Sequence, residues 1–238
     1  MAPRFFVEHA LREGETLVLP PGPSRHAQVL RLQSAASITL FNGEGGEWHA
    51  SVTRMGRSEV EINVGTHDPV DRESACAVSL ALGMPANERM DSLIEKATEL
   101  GVARIQPLVC ERSVLRLAGE RARKKVEHWR AVAVAASEQS GRTRLPQIAD
   151  IASFSDWLSA LPCDNATHRF VLSLRSAKRL TVGESGMLWF LSGPEGGLTD
   201  AEESAAQVAG FLPVSLGPRV LRADTAPLAA LAAVCIGR

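Results

Sequence analysis

Two glycine–proline segments near the end of the chain hold most of the residues able to do chemistry. The first is Ser192-Gly-Pro-Glu-Gly-Gly-Leu-Thr-Asp-Ala-Glu-Glu203. An apolar run precedes it, and Thr199 with Glu202 has the spacing of a capping box, so a strand turns into a helix here. Glycines at the carboxyl end of a strand let a ligand lie against bare backbone, and open α/β sheets bind ligands at that place. A tight turn with no ligand is the competing reading, since the spacing is neither G-x-G-x-x-G nor a phosphate-binding Walker loop. The second segment, Ser215-Leu-Gly-Pro-Arg-Val-Leu-Arg-Ala-Asp-Thr-Ala-Pro-Leu228, also follows a predicted strand and leads into a helix. Asp224 or Thr225 is expected to cap that helix, with Pro227 in its first turn, where a missing N–H costs nothing. Arg219 and Arg222 stand in an otherwise apolar loop. A carboxylate (Glu195) on one loop and arginines on the next would wall a single pocket.

The elements that position these loops follow from hydrophobic periodicity. Residues 1–70 read as all-β. Ser58–Val64 alternates polar and apolar, and Ser37–Phe41 and Trp48–Val52 flank Asn42-Gly-Glu-Gly-Gly46, whose glycines supply the positive φ of a hairpin. Arg4–Glu8 and Glu15–Leu19 are further short strands, with a short helix over Ser24–Leu32, and together they suggest a small barrel. The polar stretch Thr66–Ser74 is the expected linker. Residues 75–238 then alternate strand and helix. Strands are expected at Ala77–Leu82, Arg104–Val109, His168–Leu174, Met187–Ser192 and Phe211–Leu216. Helices are expected at Glu88–Leu100, Gly119–Ser140, Thr199–Ala209 and Asp224–Ile236, an α/β fold on a parallel sheet.

Composition narrows the class. The 238 residues are 45% hydrophobic and 22% charged with a net charge of −1, so whole-chain electrostatics favour no polyanion and any nucleic-acid face must be local. The first domain carries six Lys/Arg against eight Asp/Glu, a sum of −2. The start lacks the apolar core of a signal peptide and no run of eighteen apolar residues exists, so no membrane role is expected. Cys76, Cys110, Cys163 and Cys235 are far apart, which reads as reduced thiols in a cytoplasmic protein without a metal site.

Gly193-Pro-Glu-Gly-Gly197, followed about twenty residues later by Leu216-Gly-Pro-Arg-Val-Leu-Arg222 and Thr225-Ala226, resembles the paired signature of the bacterial 16S ribosomal RNA uracil-N3 methyltransferases of the SPOUT superfamily. Glu88-Arg-Met, Ile94-Glu-Lys-Ala-Thr-Glu-Leu-Gly-Val102 and Ser137-Glu-Gln-Ser-Gly-Arg142 extend the resemblance upstream. His26-Ala-Gln-Val-Leu-Arg-Leu32 and Phe41-Asn-Gly resemble the family's PUA-like RNA-binding barrel. The chain departs from the family at Leu172-Ser-Leu-Arg-Ser176, where His-Pro-Arg-Ala is common, and at Ala223-Asp224, where threonine and glutamate are usual. The resemblance implies a trefoil knot, a homodimer, S-adenosylmethionine as cofactor and 16S rRNA or the small ribosomal subunit as partner. Carried over residue by residue, it places the cofactor against Leu172, Ser173, Gly193, Pro194, Glu195, Gly196, Gly197, Leu216, Gly217, Leu221, Thr225 and Ala226. It makes Arg25, His26 and Arg31 RNA contacts.

Methylating uracil N3 removes a weakly acidic proton and aligns the nitrogen with an already activated methyl group, so no metal is demanded and placement with charge stabilisation is the protein's share. Arg222 is the expected catalytic residue, its guanidinium stabilising charge on a uracil oxygen or gripping a phosphate; a structural ion pair with Asp224 or Glu195 is the plainer alternative. Glu195 is expected to accept backbone N–H bonds. The basic run from Arg112 to Arg130, together with Arg142, supplies further RNA candidates, chiefly Arg123 and Lys124, with a solvated face as the bland reading. Trp129, on a stripe with Val126 and Val132, is expected in the core. Two rival functions remain. A dinucleotide-dependent oxidoreductase lacks its glycine fingerprint and ribose-binding acid, and a non-catalytic RNA-binding dimer would not need exposed backbone at two strand ends.

Overall fold

The computed structural model of the chain describes residues 2–162, 166–175, 178–181 and 186–236; Cys163 and Ser176, named above, lie outside them. It forms two compact units, Met1–Glu73 with Ser137–Leu145, and Ser74–Ala136 with Pro146–Arg238.

In the first unit the period-two segments become strands β1 (Arg4–Phe6), β2 (Thr16–Val18), β3 (Ser37–Phe41), β4 (Glu47–Met55) and β5 (Val60–Asp68). Their order is β1-β3-β4-β5-β2, all antiparallel except β1 beside β3. Among the described residues, the two outer strands are not paired to each other, so the ladder itself does not close a barrel. Two register shifts in β4 bend the sheet, as bulges do. Alternate side chains (Phe5, Leu40, Val52, Ile62, Val64) are fully or almost fully buried beneath Ala27 of helix α1, Pro21–Val29. That helix starts three residues before the expected Ser24, because Pro21 and Pro23 fit a first turn whose N–H groups have no partners anyway.

Ion pairs close this unit. Glu47, 8% exposed, accepts from Arg4 and from Arg72 at 2.9 and 3.2 Å, and these guanidinium groups hold its carboxyl down to about 2. Glu73 accepts from Arg142 Nε at 3.1 Å. The expected linker is therefore only partly one: β5 runs on to Asp68, and Arg72 and Glu73 are tied to the same unit. Burial pushes the carboxyl of Glu138 up, although the Phe6 N–H donates to it at 2.9 Å.

The second unit is an all-parallel sheet built from β6 (Cys76–Gly83), β7 (Arg104–Val109), β8 (Gln147–Ile148), β9 (Ala152–Ser153), β10 (Thr167–Leu172), β11 (Lys178–Arg179), β12 (Gly186–Ser192) and β13 (Leu212–Ser215). The order is β11-β13-β10-β12-β6-β7-β8, with β9 also on β7. Both faces are covered, which is why the strands read as nearly continuous apolar runs. Val78, Leu80, Leu188 and Phe190 point to one side, where they meet Met90 and Ile94 of α2 (Asn87–Glu99), Val126 and Trp129 of α3 (Gly119–Ser140), and Leu231 of α6 (Thr225–Cys235). Ala81, Trp189 and Leu191 point to the other, against Trp157 of α4 (Phe154–Ser159) and Ala206 of α5 (Asp200–Val208). Trp129 is fully buried and its indole N–H donates to Asp91 at 2.8 Å. Elements β8, β9, β11 and α4 span two to six residues, too few to show a period, and sequence reading did not find them.

Candidate active site

The strands β13, β10 and β12 are neighbours and parallel, so their carboxyl ends emerge side by side. Each runs into a loop: Leu172–Arg175, Ser192–Leu198 and Leu216–Ala223. These loops, with Arg89 of α2, Arg112, Glu203 of α5 and Ala226 of α6, enclose a cavity of 690 Å³. That is ample for a ligand of nucleoside size. The expectation of one pocket with two glycine–proline walls therefore holds in space, and the loop after β10 supplies a third wall.

Local chemistry fixes the middle loop. Thr199 caps α5, accepting from Glu202 N–H at 3.2 Å, and Glu202 returns a bond to Thr199 N–H at 2.9 Å. Gly193 is required by close packing, since a Cβ there would lie 2.7 Å from the Leu198 nitrogen. Glu195 accepts from the Ala86 N–H at 3.0 Å and lies 3.5 Å from Arg89, so it bridges the loop to the start of α2. Arg112 donates to the Gly196 carbonyl at 3.0 Å and approaches that of Leu198 at 3.5 Å.

The loop after β10 is pinned to α5. Ser173 Oγ donates to Glu203 at 2.5 Å and accepts from the Arg175 N–H at 3.0 Å, while the Arg175 guanidinium pairs with Asp200. In the loop after β13, the Gly217 N–H donates to Ser215 Oγ at 3.2 Å, and the Thr225 and Ala226 N–H groups donate to the Arg222 carbonyl at 3.0 and 2.9 Å. Gly217 has φ +119°, and no atom lies within 4 Å of where a Cβ would stand. The glycine there supplies a conformation, not a close contact.

Most residues expected at the site meet there. Leu172, Ser173, Gly193, Pro194, Glu195, Gly196, Gly197, Leu216, Gly217, Leu221, Arg222 and Ala226 all line the cavity. Thr225 does not; it is exposed in the first turn of α6. Neither expected cap of α6 forms: Asp224 occupies the N-cap with helical dihedrals and no side-chain cap bond, and its buried Oδ1 has no partner among the described residues. Arg222 is exposed and, among the described residues, neither it nor Arg219 forms an ion pair or side-chain hydrogen bond, which removes the structural pairing with Asp224 or Glu195.

Elsewhere several members of the basic run, most of them exposed, are engaged within the chain. Arg112 serves the loop, Lys125 bonds Asp91 at 2.9 Å, Lys124 pairs with Glu120 at 2.8 Å and Arg130 with Asp150 at 3.1 Å. Arg123 is exposed. Arg142, in contrast, is 5% exposed and donates from Nε to Glu73 at 3.1 Å. Arg25, His26 and Arg31 are exposed on or just after α1, with His26 3.8 Å from Glu138. The sequence did not mark Arg89, Arg112, Arg175 or Glu203 as site residues, because their contacts join segments far apart in the chain. Burial pushes the Cys110 thiol up to about 12, so it is no nucleophile. Among the described residues no cluster of side chains could hold a metal, and no helix is long and apolar enough to cross a membrane.

The family described as RNA methyltransferase domain matches residues 72–235, and the RNA methyltransferase PUA domain matches residues 24–65. The ribosomal RNA small subunit methyltransferase E of Bacillus subtilis is 30% identical over 97% of this chain and 95% of the relative. The crystal structure of that enzyme from Neisseria gonorrhoeae, bound to S-adenosylmethionine, superposes with a TM-score of 0.93 at 38% identity, covering 98% of this chain and 96% of that one. A Legionella pneumophila protein solved with the same cofactor bound gives 0.93 at 31% identity, covering 98% and 97%. With the three-walled cavity at the ends of β13, β10 and β12, these likenesses assign the chain to the ribosomal RNA small subunit methyltransferase E family, an RNA methyltransferase domain preceded by its PUA domain.

Proposed function

We propose that this chain transfers a methyl group from S-adenosylmethionine to N3 of a uridine in the 16S RNA of the small ribosomal subunit. It would act in the cytoplasm as a homodimer whose carboxyl-terminal segment forms the trefoil knot. The observation that carries the reading is one cavity shared by both glycine–proline loops, with two arginines on one wall that are unpaired among the described residues.

The residues present fit the cofactor. A 690 Å³ space bounded by main chain at 193–197 and 216–217 offers amides and carbonyls to a polar ligand, and Leu172, Leu216, Leu221 and Ala226 offer apolar contact to a purine. When bound, the cofactor supplies a methyl group already activated on a sulfonium. The chain's own work is then to place the base and to manage charge. N3 lies on the pairing edge, so the uridine must be unpaired or extruded to enter. As its proton leaves, negative charge spreads to O2 and O4, and Arg222, unpaired among the described residues, would answer it. Glu195 is spent on Ala86 and Arg89 and holds the loop. After β13, on the far side of β10, the chain returns to pack α6 on β12, β6 and α2, a crossing that the knot would require.

Incubating the chain with methyl-labelled cofactor and small-subunit RNA from cells lacking the native activity tests the reading. Nucleoside analysis is expected to find 3-methyluridine, with NAD inert. Label on another atom, or none on RNA or on intact subunits, would reject it.

A further inference from the structure

Two large apolar side chains stand exposed on the rim of the cavity. Leu174 is 66% and Val220 78% exposed, and both line the same space. Exposed apolar groups are ordinary on a surface, but these are held out. Leu174 sits between two anchored residues, Ser173 bonded to Glu203 and Arg175 paired with Asp200. Val220 sits between Arg219 and Leu221 in a loop fixed at one end by Ser215 on Gly217 and at the other by the Arg222 carbonyl. Apolar groups on two walls, with two exposed guanidinium groups beside Val220 that are unpaired among the described residues, match one kind of occupant: a flat base carrying a phosphate on that side. A second protein surface rich in apolar groups would leave Arg219 and Arg222 without answering charge.

We infer that Leu174 and Val220 are the jaws that grip the extruded pyrimidine, and that Arg219 binds a phosphate of the same strand. The inference rests on the methyltransferase reading and adds the substrate side of its site. The jaws sandwich the base by contact with its faces, which every base offers, so they position without reading identity. Arg219 contributes sequence-independent attraction, and Arg222 is left for the reacting edge.

The test is equilibrium binding of the full-length chain to deproteinised 16S RNA over a range of salt, beside steady-state kinetics and calorimetry with S-adenosylmethionine. Leu174→Ser with Val220→Ser is expected to weaken RNA binding on the order of ten-fold and raise KM for RNA, with cofactor affinity kept within about two-fold. Leu174→Met with Val220→Ile should restore binding, which a mere folding defect would not allow to be read as contact loss. Arg219→Ala should flatten the salt dependence of log K by about 0.7, while Arg219→Lys keeps it. Unchanged RNA affinity in the serine pair overturns the jaws, as does a shift in oligomeric state with RNA affinity kept, which would make the pair an interface between copies. An unchanged salt slope in Arg219→Ala overturns the phosphate contact. If the wild-type chain binds RNA but methylates none, the proposed function fails while the jaws stand or fall on the binding data.

Discussion

The guanidinium of Arg112 lies 3.0 Å from the carbonyl oxygen of Gly196, holding the middle loop of the site from a segment more than eighty residues upstream. Glu195, the next residue back, holds the same loop from the other direction through Ala86. The ligand-facing loop is thus held from both sides by side chains of the cavity wall itself, the arrangement a preorganised site needs.

Arg112→Ala should therefore weaken S-adenosylmethionine binding by about ten-fold, the scale of a lost charge-assisted bond to backbone. Calorimetry checks it, and unchanged affinity would mean that the loop holds itself.

Glu195→Gln keeps an oxygen that can accept from Ala86, so turnover should stay within about three-fold, whereas Glu195→Ala should lose cofactor affinity by roughly ten-fold. Loss of turnover in the glutamine variant, with cofactor affinity intact, would instead make Glu195 the proton acceptor.

Arg222→Ala should lower kcat by about 10² to 10³ while cofactor affinity changes less than about two-fold, as expected for a group that acts on developing charge. Arg222→Lys should recover only part, since an ammonium lacks the planar fork. Near-normal single-turnover rates in Arg222→Ala would remove it from the mechanism.

The first unit has its own pH signature. Glu47 is held down to about 2 by Arg72 and Arg4, below its unfolded value of 4.5. A depressed carboxyl stabilises the fold above its unfolded value, and that contribution is lost as pH falls from 4.5 toward 2. At neutral pH it amounts to at most about 3 kcal/mol. Glu138, raised by burial, runs the other way and costs stability as pH rises through its folded value. Urea midpoints of wild type and Glu47→Gln should therefore differ at pH 7 and converge toward pH 2; parallel curves would contradict the assignment.

Much of this was legible in the sequence because it is local. β3, β7 and α3 coincide with the expected ranges, and the capping box of Thr199 and Glu202 forms as its spacing requires. The two glycine–proline loops announced themselves through residue type. What could not be read depends on chain path. Arg112 looked like one more member of a basic run, and only the fold brings it to Gly196. Arg142 stood out only as the end of the Ser137–Arg142 segment of the resemblance, and its bond to Glu73, 69 residues away, depends on the fold. Asp224 had the right type for a cap, but its helical dihedrals turn the carboxylate away from the N–H groups it would serve.

The most direct measurement is a calorimetric titration of the full-length chain with S-adenosylmethionine, repeated on Ala226→Leu, whose larger side chain would occupy part of the 690 Å³ cavity. The expected result is one site per chain in the wild type, abolished in the variant while its urea midpoint is kept. Absence of binding in the wild type, or equal binding in the variant, would contradict the placement of the cofactor between these loops.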